Sequence, residues 1–399
     1  MSKVQLPFGM QDQLPDDCYN NVRAEKAMCR VFASYGYKQV STPTLEYCDL
    51  FTSGGMMSEK RLFKLTDSDG SLLAMRADVT MQICRMYVTN MTGVQRMYYA
   101  LDSYEYLDDS NSARDREFAQ TGVELMGDTG ADGELEILEM AADALRGSGL
   151  KNFTVELGHV GYFDGVAEEL GLSPADAGKL KKLINKKDML GVELFFRDSG
   201  LSDKDKESIL SLPSLFGGAE TLERARRMCS NAKSIEALDR LKYLLDKLGR
   251  MGLGKYFSID LGMVSVNDYY TGIVMKGLCE DLGVSILDGG RYDSLCSRWD
   301  RPTNAIGFGI GTRRLTAALR NQGLREKAPK ADIAFAVADC DERTVRDTVE
   351  KLRKKNIVVR VFGDENALIG YCREKNISRA IFFDGAPIEL TIASKGGKI

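Results

Sequence analysis

A chain of 399 residues exceeds what one hydrophobic core usually serves, so two or three domains are expected. With 44% hydrophobic, 28% charged and 8% aromatic residues, its composition is that of an ordinary globular protein and argues against the disordered, fibrous and membrane classes. The formal charge of -4, from 54 Lys plus Arg against 58 Asp plus Glu, lacks the net basic field that nucleic-acid binders use.

The 9 cysteines never fall in the close pairs that structural zinc sites or redox motifs require, so they are expected to be small core residues in a reducing cytoplasm. No metal or cofactor is expected. The first residues, Met1 to Gly9, have no apolar leader, and nowhere is an apolar run long enough to cross a bilayer, which predicts a soluble cytoplasmic protein. Any Ser-His or Cys-His mechanism would have to use the single histidine, His159. It follows the apolar stretch 153–158 and opens a loop, where a structural hydrogen-bonding role is the simpler reading.

In chain order, Asp16 is placed to cap a helix with Tyr19, Val22, Cys29 and Phe32 on one face, ending near Gly36. From Leu72 to Gly127 the sequence reads as short strands and turns. That stretch closes on the period-2 pattern 118–125, in which Gln120, Gly122 and Glu124 share a face and would floor a small polar pocket. Helical spacing of Leu180 and Ile184, then Ile235, Leu238, Leu241 and Leu245, suggests a helical insertion over 174–250. Strand signals resume at 256–260, 269–274 and 307–311, with a helix from about Arg313. The core domain would therefore comprise 1–173 and 251–326. The proline-containing boundary 327–330 is followed by a βαβαβ alternation over 331–399, a separate small α/β domain.

Five segments resemble histidyl-tRNA synthetase and its regulatory paralogue, in order and spacing. Residues 75–80 (MRADVT) are similar to that family's L-R-P-E-x-T segment, and 116–124 (REFAQTGVE) to its R-Q-F-H-Q-x-G-x-E strand. Residues 268–272 (DYYTG), 289–293 (GGRYD) and 307–315 (GFGIGTRRL) resemble its later elements, the last being class II motif 3. The resemblance implies an α+β fold of the class II aminoacyl-tRNA synthetase type: an antiparallel sheet flanked by helices, with Pro43 at a dimer interface. It also implies a histidine site, with Asp78, Thr80 and Gln120 at the α-amino group, Glu124 and Tyr270 at the imidazole, and Tyr269 in support. The chemistry agrees, since a neutral imidazole offers one donor and one acceptor.

Two departures bear on function. Adenylating an amino acid builds charge on the α-phosphate, which a synthetase meets with arginines. In alignment with the family, Ser103 stands in for one of these and Ser265 for the other, and the loop 106–112 is acidic where the synthetase is basic. Arg314 of motif 3 is either an anion contact or merely a helix-start residue. Over 331–399, similar to a shortened anticodon-binding domain, 12 Lys plus Arg stand against 11 Asp plus Glu, which is unlike a tRNA-gripping surface.

The polar set could be a network that merely packs. Its completeness beside lost arginines favours ligand binding. For 289–293 and 307–311, backbone turns and close strand packing are the favoured reading. The resemblance to the regulatory paralogue, which shares the L-G-H-V-G stretch 157–161, implies a non-catalytic regulatory subunit. It would bind L-histidine, form a homodimer, and assemble with the short catalytic subunit of ATP phosphoribosyltransferase, with no tRNA and no membrane partner. The alternatives are an active or divergent histidyl-tRNA synthetase and a synthetase-like RNA-binding module.

Overall fold

The computed structural model describes residues 5–106, 115–127, 130–186, 188–197, 203–264 and 269–392. Its strands are, in chain order, β1 (Lys38–Gln39), β2 (Leu45–Tyr47), β3 (Lys64–Thr66), β4 (Leu72–Met75), β5 (Gln95–Tyr104), β6 (Glu117–Met126), β7 (Thr154–His159), β8 (Phe216–Gly217) and β9 (Phe257–Asp260). They continue with β10 (Ile273–Cys279), β11 (Leu282–Arg291), β12 (Ala305–Gly311), β13 (Ile333–Val337), β14 (Val358–Arg360), β15 (Arg379–Asp384) and β16 (Ala386–Thr391). The chain divides into two compact units, Met1–Glu326 and Lys327–Ile399.

The first unit is built on a nine-stranded sheet in the order β1-β5-β6-β12-β11-β10-β7-β9-β8, antiparallel except for β1 with β5 and β7 with β9. Alternation along β6 and β12 decides which side each residue serves. Val123, Leu125, Ile306, Phe308 and Ile310 point into a core shared with Met28 and Phe32 of the helix Pro15–Ser34 and with Ile137, Leu138 and Leu145 of the helix Gly130–Gly147. Each such fully buried side chain contributes about 1.5–3 kcal/mol of hydrophobic stabilisation. The opposite side carries Gln120, Gly122 and Glu124, set by the β6–β12 register against Gly311, Gly309 and Gly307.

The helix Pro15–Ser34 starts with Pro15 in its first turn and no side-chain cap, so Asp16 is not its cap. Its buried face is Asn20, Ala24, Ala27, Met28 and Phe32, leaving Val22 exposed, because small residues let the helix approach the sheet closely. The stretch from Leu72 to Gly127 is not all strand and turn: it contains the helix Val79–Asn90. Its β-branched and aromatic residues have little helix propensity, but Asp78 caps it and burial of Val79, Met81, Ile83, Cys84 and Tyr87 outweighs propensity. In its second turn, Gln82 Nε2 donates to the Pro43 carbonyl at 3.0 Å, and Thr42 Oγ1 donates to Gln82 Oε1 at 2.7 Å. These bonds tie the helix to the segment that enters a small sheet of order β2-β4-β3.

Over 174–250 lie the helices Pro174–Asn185, Met189–Arg197, Asp203–Leu210, Glu220–Arg226 and Ala232–Arg250. The longest buries Leu238, Leu241, Leu244 and Leu248 into the same core as the sheet. β8, inside this stretch, pairs with β9 and joins the helices to the sheet edge.

The second unit is a four-stranded sheet of order β14-β13-β15-β16, with β16 as an antiparallel strand beyond the sequence-based βαβαβ pattern. The helices Glu342–Arg353 and Glu365–Lys375 pack on opposite faces, as the alternation Ile333, Phe335 against Ala334, Ala336 along β13 requires.

Candidate functional site

The site sits on the glycine side of β6, β12 and β11, under the start of the helix Val79–Asn90. Glu124 lies flat across β12 because its opposite number is Gly307: a Cβ there would come 1.9 Å from Glu124 Oε2 and 2.3 Å from the Val123 carbonyl. At Gly309 a Cβ would come 1.8 Å from Gln120 Nε2, and at Gly290 2.8 Å from the Tyr270 ring. The glycines of 289–290 and 307–311 are therefore strand residues rather than turn residues. Their missing side chains make the floor on which the polar groups rest.

Asp78 caps the helix through Oδ1, which accepts from the Met81 amide at 2.9 Å. Two residues after Asp78, in the first turn, Thr80 Oγ1 donates to Glu124 Oε1 at 2.7 Å. The other carboxylate oxygen of Glu124 accepts from the Tyr292 hydroxyl. Tyr269 and Tyr270 come from the segment leading into β10, their ring centroids 4.8 Å apart, and Tyr269 meets Tyr292 edge-on at 6.2 Å. Asp78, Thr80, Gln120, Glu124, Tyr269 and Tyr270 thus line one cleft of about 1010 Å³, at the upper end of the usual size of small-molecule sites.

Burial pushes the Glu124 carboxyl up to about 8; the bonds from Tyr292 and Thr80 oppose the shift and the nearby Asp78 carboxylate adds to it. Burial likewise raises Asp78, against the Met81 and Thr80 amides and the Tyr269 hydroxyl. Among the described residues no cation is hydrogen-bonded to the buried Glu124 or the half-buried Asp78, an arrangement that is costly by itself and that suits a ligand bringing N–H donors. Tyr292 was not among the residues singled out from sequence. It lies 168 positions from Glu124, and its segment reads locally as a turn.

Further along, the cleft becomes charged. Arg314 Nη1 donates to the Ser285 carbonyl at 3.0 Å and stands 3.9 Å from Asp288, while Arg313 faces Asp115 and Glu117 at 3.7 and 3.9 Å. The Arg116 guanidinium is stacked between the rings of Phe8 and Tyr106, at 4.7 and 4.6 Å. Ser103, on β5, is fully buried with no partner for its hydroxyl among the described residues, and it does not line the cleft. Ser265, Asp268 and most of the acidic loop lie outside the described residues.

His159 is the cap of the helix Val160–Glu169: its Nδ1 accepts from the Gly161 amide at 3.1 Å. Burial, with Arg240 and Arg291 nearby, holds it down to about 4, so it is neutral at physiological pH. Among the described residues no cluster of His, Cys, Asp and Glu is arranged to hold a metal ion, and no helix is long and apolar enough to cross a membrane.

Residues 9–315 match the family model of histidyl-tRNA synthetase. The crystal structure of histidyl-tRNA synthetase from Nostoc sp. PCC 7120 superposes with a TM-score of 0.78 at 17% identity, covering 98% of this chain and 97% of that one, which fixes the fold as class II synthetase-like. An ATP phosphoribosyltransferase regulatory subunit/histidyl-tRNA synthetase from Bacillus halodurans C superposes at 0.84 with 29% identity, covering 96% and 99%. The ATP phosphoribosyltransferase regulatory subunit of Acetivibrio thermocellus is 33% identical over 99% of this chain and 96% of its own length; that of Geobacter sulfurreducens is 33% identical over 96% and 89%. The chain belongs to the ATP phosphoribosyltransferase regulatory subunit family, and its role is regulatory, in histidine biosynthesis. These relatives give no support to the alternative of an active synthetase.

Proposed function

We propose that this chain assembles in the cytoplasm with the short catalytic subunit of ATP phosphoribosyltransferase, which joins ATP to phosphoribosyl pyrophosphate, and reports the level of L-histidine to it. The observation that carries the reading is Glu124: fully buried, held by Thr80 and Tyr292, and set beside Asp78, Tyr269 and Tyr270 on a floor of glycine. A histidine would place its ammonium at Asp78, Thr80 and Gln120 and its imidazole between Glu124 and the Tyr270 hydroxyl. Feedback then needs only a better fit of histidine to one assembly state; a coupling of about 1–3 kcal/mol, or 5- to 150-fold in affinity, is typical.

Adenylation has no support. Ser103 and Ser265 offer neither the charge nor the reach of the arginines they replace, and the buried Ser103 does not line the cleft. A homodimer is favoured by the sheet β2-β4-β3, which turns Leu45, Tyr47 and Leu65 outward on one face next to Pro43. The balanced charge of 331–399 weighs against tRNA.

Calorimetric titration of the isolated chain with L-histidine tests the reading. Saturable binding, weakened about tenfold or more in Glu124→Ala and by less in Tyr270→Phe, is expected. An absence of binding at millimolar histidine, alone and with the catalytic subunit, would sink it.

A further inference from the structure

The amino-acid end of the cleft is made of acids, an amide and hydroxyls. These suit an ammonium and an imidazole, but an amino acid also carries a carboxylate, which the Asp78 carboxylate would repel at close range. Some cation has to face it. Most arginines along the cleft already face acids of the same chain: Arg313 stands 3.7 and 3.9 Å from Asp115 and Glu117, Arg314 donates to the Ser285 carbonyl and stands near Asp288, and Arg325 pairs with Asp17 at 2.9 Å. Lys276 stands in the cross-strand row Lys276, Asp288, Gly309, Gly122, three strands from Gly122. That is roughly 14 Å away at the usual strand spacing. Arg320 is in the last turn of its helix.

Arg61 is different. It ends the single turn Glu59–Arg61, and its carbonyl accepts from the Tyr106 amide at 2.8 Å, which fixes the backbone beside the end of β5. Its side chain is 48% exposed and lines the same cleft as Asp78. Only Nε is engaged, by Glu105 Oε1 at 2.7 Å, so among the described residues both Nη groups are without a partner. Arg61 is near enough for its charge to draw the Asp78 carboxyl down, against burial.

We propose that Arg61 is the carboxylate anchor of the pocket, its two Nη groups taking the α-carboxylate of the amino acid whose other ends fall to Asp78 and Glu124. A planar guanidinium with a free edge matches a carboxylate in two parallel hydrogen bonds. Glu105, held on the opposite edge, keeps that edge turned to the cleft. The assignment rests on the histidine reading above and adds a residue that none of the sequence motifs contains.

The test is titration of the full chain and of Arg61→Ala and Arg61→Lys with L-histidine and with L-histidinol, in which a hydroxymethyl group replaces the carboxylate. Arg61→Ala is expected to weaken L-histidine about 10- to 100-fold and L-histidinol less than about twofold, with Arg61→Lys in between for L-histidine. Equal losses for both ligands would assign Arg61 a structural role and overturn the anchor, as would an unchanged affinity for L-histidine. A wild-type chain that binds neither compound, alone or with the catalytic subunit, would instead overturn the histidine pocket, and the anchor with it.

Discussion

The two ends of the cleft solve opposite problems. At the arginine end, Arg313, Arg314 and Arg325 meet acids of the same chain, and that end is close to neutral by itself. At the amino-acid end, the buried Glu124 and the half-buried Asp78 have no cation hydrogen-bonded to either among the described residues. A folded chain gains nothing from that arrangement, which costs stability until something cationic arrives. The difference supports the proposed histidine pocket, since the end assigned to the ligand is the one whose acids the described residues do not pair with a cation.

The strongest way to break this comparison is through the floor. In Gly307→Ala the new methyl meets the rigid Val123 carbonyl as well as Glu124, so a loss of about 3 kcal/mol is expected in denaturant unfolding, together with loss of histidine binding. In Gly309→Ala its nearest neighbours are all atoms of the Gln120 side chain, from Nε2 back to Cγ, and that side chain can move. Stability should then change by less than about 1 kcal/mol while histidine affinity drops about tenfold. Equal destabilisation by both would make the floor ordinary strand packing.

The next test sharpens the claim of unbalanced charge. Glu124 rises from 4.5 to about 8 on folding, so the folded state holds that proton more tightly than the unfolded one. Its stabilising contribution is full below about pH 4.5 and is lost as pH rises through 8. The melting temperature of the empty protein should carry a downward component between those limits, and Glu124→Gln should remove it. An unchanged pH profile would mean that the carboxylate is already balanced.

A smaller effect is expected from Tyr292→Phe, which removes a hydrogen bond that lowers the Glu124 pKa. Stability should fall by about 1 kcal/mol, and the pH-dependent loss should move upward. The smallest belongs to Arg314→Ala at the other end. This half-exposed side chain with a distant carboxylate should shift stability by no more than about 0.5 kcal/mol and leave histidine affinity unchanged.

Much of the site was legible where it follows local rules. Gln120, Gly122 and Glu124 are two apart, and any strand puts them on one side. What local pattern could not reveal is partnership across the sheet. Gly307 and Gly309 read as backbone punctuation until the β6–β12 register sets them against Glu124 and beside Gln120. Tyr292 reaches the pocket from a segment that reads as a turn, and Arg61 from a stretch that carries none of the sequence motifs. The helix Val79–Asn90 was missed because its own residues favour strands, and only the packing around it makes it a helix. At the start of the chain, the helix was expected but its buried face was not, since Ala24 and Ala27 bring the backbone close without looking apolar enough to mark an inner face.

Asp78 is both a wall of the pocket and the cap of the helix Val79–Asn90, whose second turn is bonded through Gln82 to Thr42 and Pro43. The span from the proposed ligand site to the entry of the outward-facing small sheet is thus one hydrogen-bonded turn of helix. A pull on that carboxylate is a push on a lever whose far end is already hooked to a surface that another chain can touch.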